Sequence, residues 1–142
     1  MSLGNISTYI DRPYRTFQDF DGALDDAQFK LVQPGGADNT VALNTVPGNE
    51  IGVVFEHLQP LPEETDYSIR LLGKGGTVKV IQSGAIPYGA RVTCDPAHPT
   101  EVMAIPAAAG SYRSLGRKVS QGGGAAGDVI EIADVIETVT VA

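Results

Sequence analysis

Glycine and proline interrupt this chain so often that long helices have little room to form. The 17 glycines and 9 prolines are spread through 142 residues and punctuate short β-branched runs. Segments of that kind read as strands joined by turns, so the expected fold class is all-β. Eight candidate strands result: 40–46, 51–58, 67–72, 76–81, 91–95, 101–105, 115–120 and 128–141. Several alternate as half-buried strands do. In RVTCD, Val92 and Cys94 share one face and Arg91, Thr93 and Asp95 the other, and in VALNT, Val41 and Leu43 share a face. Only residues 22–29 have any helical character.

A turn ending in glycine, followed by a short β-branched strand, recurs three times. The instances are PGNEIGVVFE (47–56), PYGARVTCD (87–95) and AAGDVIEIAD (125–134). Their unequal spacing makes them a reused corner rather than a solenoid repeat, which suits a compact β-barrel or sandwich of about eight short strands. The first 30 residues differ in kind. Tyr9, Tyr14, Phe17, Phe20 and Phe29, five of the nine aromatics, stand there among polar residues without strand or helix periodicity. Two readings stay open: the segment folds back over one end of the barrel, or it is an extended arm whose aromatics anchor on a partner. The second divides the chain into an aromatic-rich N-terminal arm (1–30) and a β body (31–142), with Tyr9, Tyr14, Phe17 and Phe20 as partner-binding anchors.

Charge narrows the partners. The net charge of −7 and pI near 4.6 repel phosphate backbones and anionic membrane surfaces, so neither nucleic acid nor membrane is expected. The distribution is uneven: residues 71–118 carry six basic side chains against Asp95 and Glu101, while residues 31–70 carry six acidic ones against Arg70. Such asymmetry can orient a chain against a partner or against copies of itself. The longest apolar run, 102–109, contains Pro106 and is far shorter than the about 20 residues of a spanning helix. The opening MSLGNISTYIDRP lacks the basic flank and apolar stretch of a secretory signal, which places the protein in a cytoplasm or in a particle assembled there. Cys94 is the single cysteine, so no intrachain disulfide can form.

The residue patterns that resemble chemistry each lack an essential part. DFDGALDDAQFK (19–30) begins like a calcium loop but has Ala23, Leu24 and Lys30 where an oxygen ligand, a glycine and a glutamate are needed. Cys94, Asp95, His98 and His57 offer only C-x-x-x-H spacing, and neither histidine has a nucleophile and an orienting acid nearby in sequence. LLGKGGT (71–77) and SLGRKVSQGGGAAGD (114–128) are glycine-rich and basic, yet neither matches a phosphate-binding loop. Glu63 and Glu64 lie in a proline-bounded stretch that reads as a solvated loop, and the chain has no tryptophan for a sugar to stack on. No catalytic, cofactor-binding or metal-binding residue is therefore assigned, and the protein is not expected to be an enzyme.

From Gly75 onward, GGTVKV (75–80), SGAI (83–86), Gly89, Val92, Gly116–Arg117 and AAGDVIEI (125–132) follow in an order that resembles the small capsid cement, or head decoration, proteins of tailed bacteriophages. The resemblance covers about half the chain and implies a β-barrel or sandwich body with turns at Gly84, Gly89, Gly116 and Gly127. It also implies a structural virion protein on the outer capsid surface, assembled in the host cytoplasm, that bridges neighbouring major capsid subunits. A homo-oligomer is expected with it, trimeric first and dimeric second. The alternatives are another virion component, such as a fibre base or head-closure part, and a small hydrolase with an unrecognised site.

Overall fold

The computed structural model describes residues 13–57 and 66–142, with the side chain of His57 left out. The described residues form ten strands and no helix: β1 (Tyr14–Asp19), β2 (Leu31–Pro34), β3 (Thr40–Leu43), β4 (Gly52–His57), β5 (Asp66–Leu71), β6 (Thr77–Ile81), β7 (Arg91–Asp95), β8 (His98–Ala104), β9 (Gly110–Lys118) and β10 (Val129–Val141). Each half of the chain makes one sheet. Strands β1–β5 close into a barrel in the order β1-β3-β2-β4-β5, sealed where β1 pairs antiparallel with β5. Strands β6–β10 form a sheet in the order β6-β10-β9-β7-β8, which curls until its two edges meet at a parallel bridge between Gln82 and Val102.

Alternation along the strands divides the apolar residues between two cores. Inside the barrel lie Phe17, Val32, Val41, Val54, Tyr67 and Ile69, with Leu24 and Ala27 packed among them. The barrel's outward residues Leu31, Val53 and Leu72 join Val78, Val80, Val92, Cys94, Val102, Leu115, Ile130 and Ile132 in a second core lined by the other sheet. Burying each such Leu, Ile or Val side chain contributes roughly 1.5–3 kcal/mol, so the two halves hold each other through a shared apolar boundary. Val78, Val80, Val92 and Ile130 face inward, and Val41 shares its face with Leu43, as their alternation predicts.

Three expectations need correction. There are ten strands among the described residues, not about eight, because β1 and β2 were not foreseen. Residues 14–30 are no free arm: Tyr14–Asp19 is the strand that closes the barrel, and the end of the expected arm at residue 30 falls within the barrel's own chain path. Residues 1–12, including Tyr9, lie outside the described residues. Finally, the stretch 22–29 is a chain of turns. Asp19 accepts from the Gly22 and Leu24 N–H groups at 3.0 and 3.1 Å, Asp21 from that of Ala23 at 3.3 Å, and positive φ at Asp26 and Phe29 (59° and 68°) interrupts any helical winding.

Gly89 and Gly127 sit in turns at positive φ, as the resemblance implies, but Gly116 lies inside β9. Its φ is +146°, and a Cβ there would stand 1.7 Å from the Ala133 carbonyl oxygen of β10. Glycine is required at that position by the close approach of two backbones rather than by a turn.

Candidate functional site

Three charged residues in or beside the glycine-rich stretches are buried: Arg70, Lys118 and Asp134. Arg70 of β5 and Asp134 of β10, both buried, meet at 2.9 Å between Nη1 and Oδ2 and tie the barrel to the second sheet. Asp134 also accepts from the Gly73 and Lys74 N–H groups at 2.7 and 2.9 Å, while Arg70 donates to the carbonyls of Leu71, Gly75 (2.6 Å) and Thr77 (3.3 Å). The LLGKGGT loop does cradle an anion, and that anion is the chain's own carboxylate. The second glycine-rich loop binds a cation instead. Lys118, buried, donates through Nζ to the carbonyls of Ile86, Gly122 and Gly123 at 2.9, 2.7 and 3.4 Å. Gln82, also buried, donates to those of Gly123 and Ala125 at 2.7 and 2.8 Å. Both loops are thus shaped around internal partners.

A second polar cluster surrounds Cys94. Its thiol donates to the Pro99 carbonyl at 3.2 Å, and Asn44 donates to the same carbonyl at 2.9 Å. Asn44 and the Gly48 N–H reach Glu50 Oε2 at 3.5 and 2.8 Å, while Arg113 lies 2.9 Å from Oε1. Burial, reinforced by the negative charge of Glu50, pushes the thiol up to about 12, which favours the unreactive thiol over the thiolate near neutral pH. His98 is exposed and turns its ring to Asp95 at 3.4 Å rather than toward the thiol. Burial alone would raise Asp95, but hydrogen bonds from Ser83, the Ala97 N–H and His98 outweigh it and hold this carboxyl below its ordinary range. Cys94 is therefore expected to react slowly with a thiol reagent in the native state and rapidly after denaturation. Fast native labelling measured near pH 7 would show that the thiol is not enclosed.

Among the described residues, no group of three His, Cys, Asp or Glu side chains is arranged to hold a metal ion. Asp19 and Asp21 of the calcium-like stretch cap turn N–H groups, and Asp25 accepts a hydrogen bond from Tyr67. That acceptor, together with burial, raises the Tyr67 phenol above its ordinary value, burial being the larger cause. Glu63 and Glu64 lie outside the described residues. No helix among the described residues is long and apolar enough to cross a membrane.

The residues expected as anchors do not form one patch. Phe17 is 8% exposed and fills the barrel, with the Arg15 guanidinium 5.0 Å above its ring. Phe20 is 50% exposed and lies over the backbone of Gly35 and Gly36, at the opposite end of β1 from Tyr14. Tyr14, 45% exposed, packs edge-on against Phe55, 37% exposed, with ring centroids 4.9 Å apart. Phe55 owes its position to a β-bulge: Val54 pairs with Ile69 and Glu56 with Ser68, leaving Phe55 between them without an opposite residue. Gln28 secures the bulge by donating to the Phe55 carbonyl at 2.9 Å. Beside this pair opens a cleft of about 190 Å³, lined by Tyr14, Phe29, Phe55 and Arg70 on the barrel side and by Lys79 and Glu131 on the other. Lys79 Nζ stands 5.9 Å from the Phe29 ring centroid.

This aromatic cleft at the junction of the two sheets is the candidate functional site. Among the described residues, Tyr14 is the one expected anchor that borders it. Phe55 escaped notice because a bulge is invisible to strict alternation, although the three consecutive apolar residues Val53, Val54 and Phe55 are its trace in the sequence. No protein-family model, curated protein or solved structure matches this chain.

Proposed function

We propose that this protein is a capsid decoration protein that binds the outer surface of an assembled viral shell and bridges neighbouring major capsid subunits, with the Tyr14–Phe55 face as its contact surface. The observation that carries the reading is the solvent-facing aromatic pair beside a cleft with one lysine and one glutamate at its rim. Aromatic anchors ringed by a few polar groups are the composition of protein-binding surfaces. The sequence resemblance carried by GGTVKV, SGAI and AAGDVIEI supports the same reading. A shell offers many copies of one epitope, so a modest contact per chain gains strength when chains are linked in a symmetric oligomer. The acidic surface favours a protein partner over nucleic acid. The protein would then reside on the outside of the virion, assembled in the host cytoplasm.

The test is incubation of the purified chain with shells that lack it, followed by imaging. Symmetric added density is the expected result, and bare shells at saturating protein would defeat the reading. Tyr14→Ala and Phe55→Ala are each expected to weaken attachment by on the order of 10- to 100-fold, as loss of an interface anchor does. Melting should change little, because both rings are partly exposed. Undiminished attachment by both variants would move the contact surface elsewhere on the body.

A further inference from the structure

Strand β10 is 13 residues long, and its two halves have different neighbours. Val129–Ala133 pairs with β6, and Ile132 to Asp134 pairs with β9, so this half has strands on both sides. A bulge between Asp134 and Glu137 follows, and from Glu137 to Val141 the strand pairs only with Gly110–Ser114 of β9. The ladder between β7 and β9 covers only Gly116 and Arg117 of β9. The sheet thus continues beyond its body as a two-stranded ribbon, and among the described residues no strand pairs with either of its outer edges. Two strands alone are marginally stable in water, and an unpaired edge is a template for a further strand.

The two edges of the ribbon are not equivalent. On the β9 side, the Thr93 hydroxyl donates to the Arg113 carbonyl at 2.8 Å and Arg113 reaches back to the Glu50 carbonyl at 2.9 Å, so that side is tied to the body. On the β10 side, Val135, Ile136, Thr138, Val139, Thr140 and Val141 are all β-branched, the class that best fits a paired strand. The one ionised side chain there, Glu137, is held by Arg91 at 3.1 Å. Proline and outward lysine, two of the devices that blunt natural edges, are absent from residues 135–141, and the bulge between Asp134 and Glu137 precedes the segment that pairs with β9.

From this we infer that the 137–141 edge of β10 pairs antiparallel with the same edge of a second copy of the chain, centred on Val139. In that register Val139 faces its own copy, Thr138 faces Thr140, and Glu137 faces Val141. The two Glu137 side chains then lie at opposite ends of the junction, about 13 Å apart along the strands at ~3.3 Å per residue, so no like charges oppose. Antiparallel pairing of identical edges is two-fold and closed, and it converts two marginal ribbons into one four-stranded sheet. The interface is separate from the aromatic cleft, and the inference does not depend on a viral partner.

The experiment uses the full chain alone, in sedimentation across roughly micromolar to millimolar concentration. The expected result is a reversible step from 14.9 kDa to twice that mass, with amide exchange at residues 137–141 slowing as dimer forms. Thr138→Pro and Val139→Pro then separate the two edges of the strand, because one N–H of this alternating pair faces β9 and the other faces the free edge. The edge-facing variant should melt like the parent while its dimer dissociates roughly 30-fold more readily, since the substitution occurs twice across the axis and each removes one hydrogen bond. The β9-facing variant should instead destabilise the chain. A monomer at every concentration, a trimer or open-ended polymer, or a dimer without concentration-dependent protection at 137–141 would each overturn the inference. So would undiminished dimerisation by a folded edge-facing variant.

Discussion

Removing residues 1–20 is expected to abolish cooperative folding rather than merely to reduce binding. The deletion takes away β1, which pairs with β5 from Tyr14↔Arg70 to Gln18↔Asp66 and with β3 at Gln18 and Asp19. Without it the barrel opens along two strands, and Phe17 leaves a void lined by Val32, Val41, Val54 and Ile69. Loss of a buried phenylalanine alone costs about 3–5 kcal/mol, a large part of the about 5–15 kcal/mol that holds a domain together. Thermal unfolding followed by circular dichroism should therefore show no sharp transition, and Phe17→Ala should lower the midpoint in the full chain. A truncated protein that melts cooperatively at the parental temperature would return the segment to the status of a dispensable arm.

Asp134→Ala is expected to be the most damaging single substitution of a charged residue. It leaves the Arg70 guanidinium buried without its counter-ion and strips the Gly73 and Lys74 N–H groups of their acceptor. Breaking a buried pair from one side costs about 3–5 kcal/mol, equivalent here to a fall in melting temperature of roughly 10 °C or more. Replacing both partners, as in Arg70→Met with Asp134→Leu, should recover a large part of that loss, because the unpaired charge goes as well. Equilibrium denaturation of Arg70→Met, Asp134→Leu and the double closes the cycle. A cost below about 1 kcal/mol for Asp134→Ala would mean that the pair behaves as a solvated one.

The strands whose bounds were read most closely are those in which polar and apolar residues alternate along the sequence. β7 matches its expected bounds at Arg91–Asp95, and β6 and β10 fall within a residue of theirs. The two that escaped have physical reasons. β2 is buried on both sides, Leu31 toward the second sheet and Val32 into the barrel, so it shows no alternation and is only four residues long. β1 presents one apolar residue inward, Phe17, with Arg15 covering its ring, so its pattern is mostly polar. The aromatic cleft was legible only through Tyr14, since Phe55 depends on a bulge and Lys79 and Glu131 come from the other half of the chain. Asp134 and Arg70 are 64 residues apart, and nothing local marks them as partners. The glycine-rich stretches looked like ligand loops because the backbone geometry that cradles a foreign ion also serves an internal one.

The placement of that ion pair has a consequence for the order in which the protein matures. Synthesis runs from the N-terminus, so every strand of the barrel leaves the ribosome while Asp134 has yet to be made. In that interval Leu31, Val53 and Leu72 lack the second sheet that covers them, and Arg70 lacks Asp134. Until the last strand arrives with its carboxylate, Arg70 has no counter-ion, so the buried pair can form only when the final strand docks.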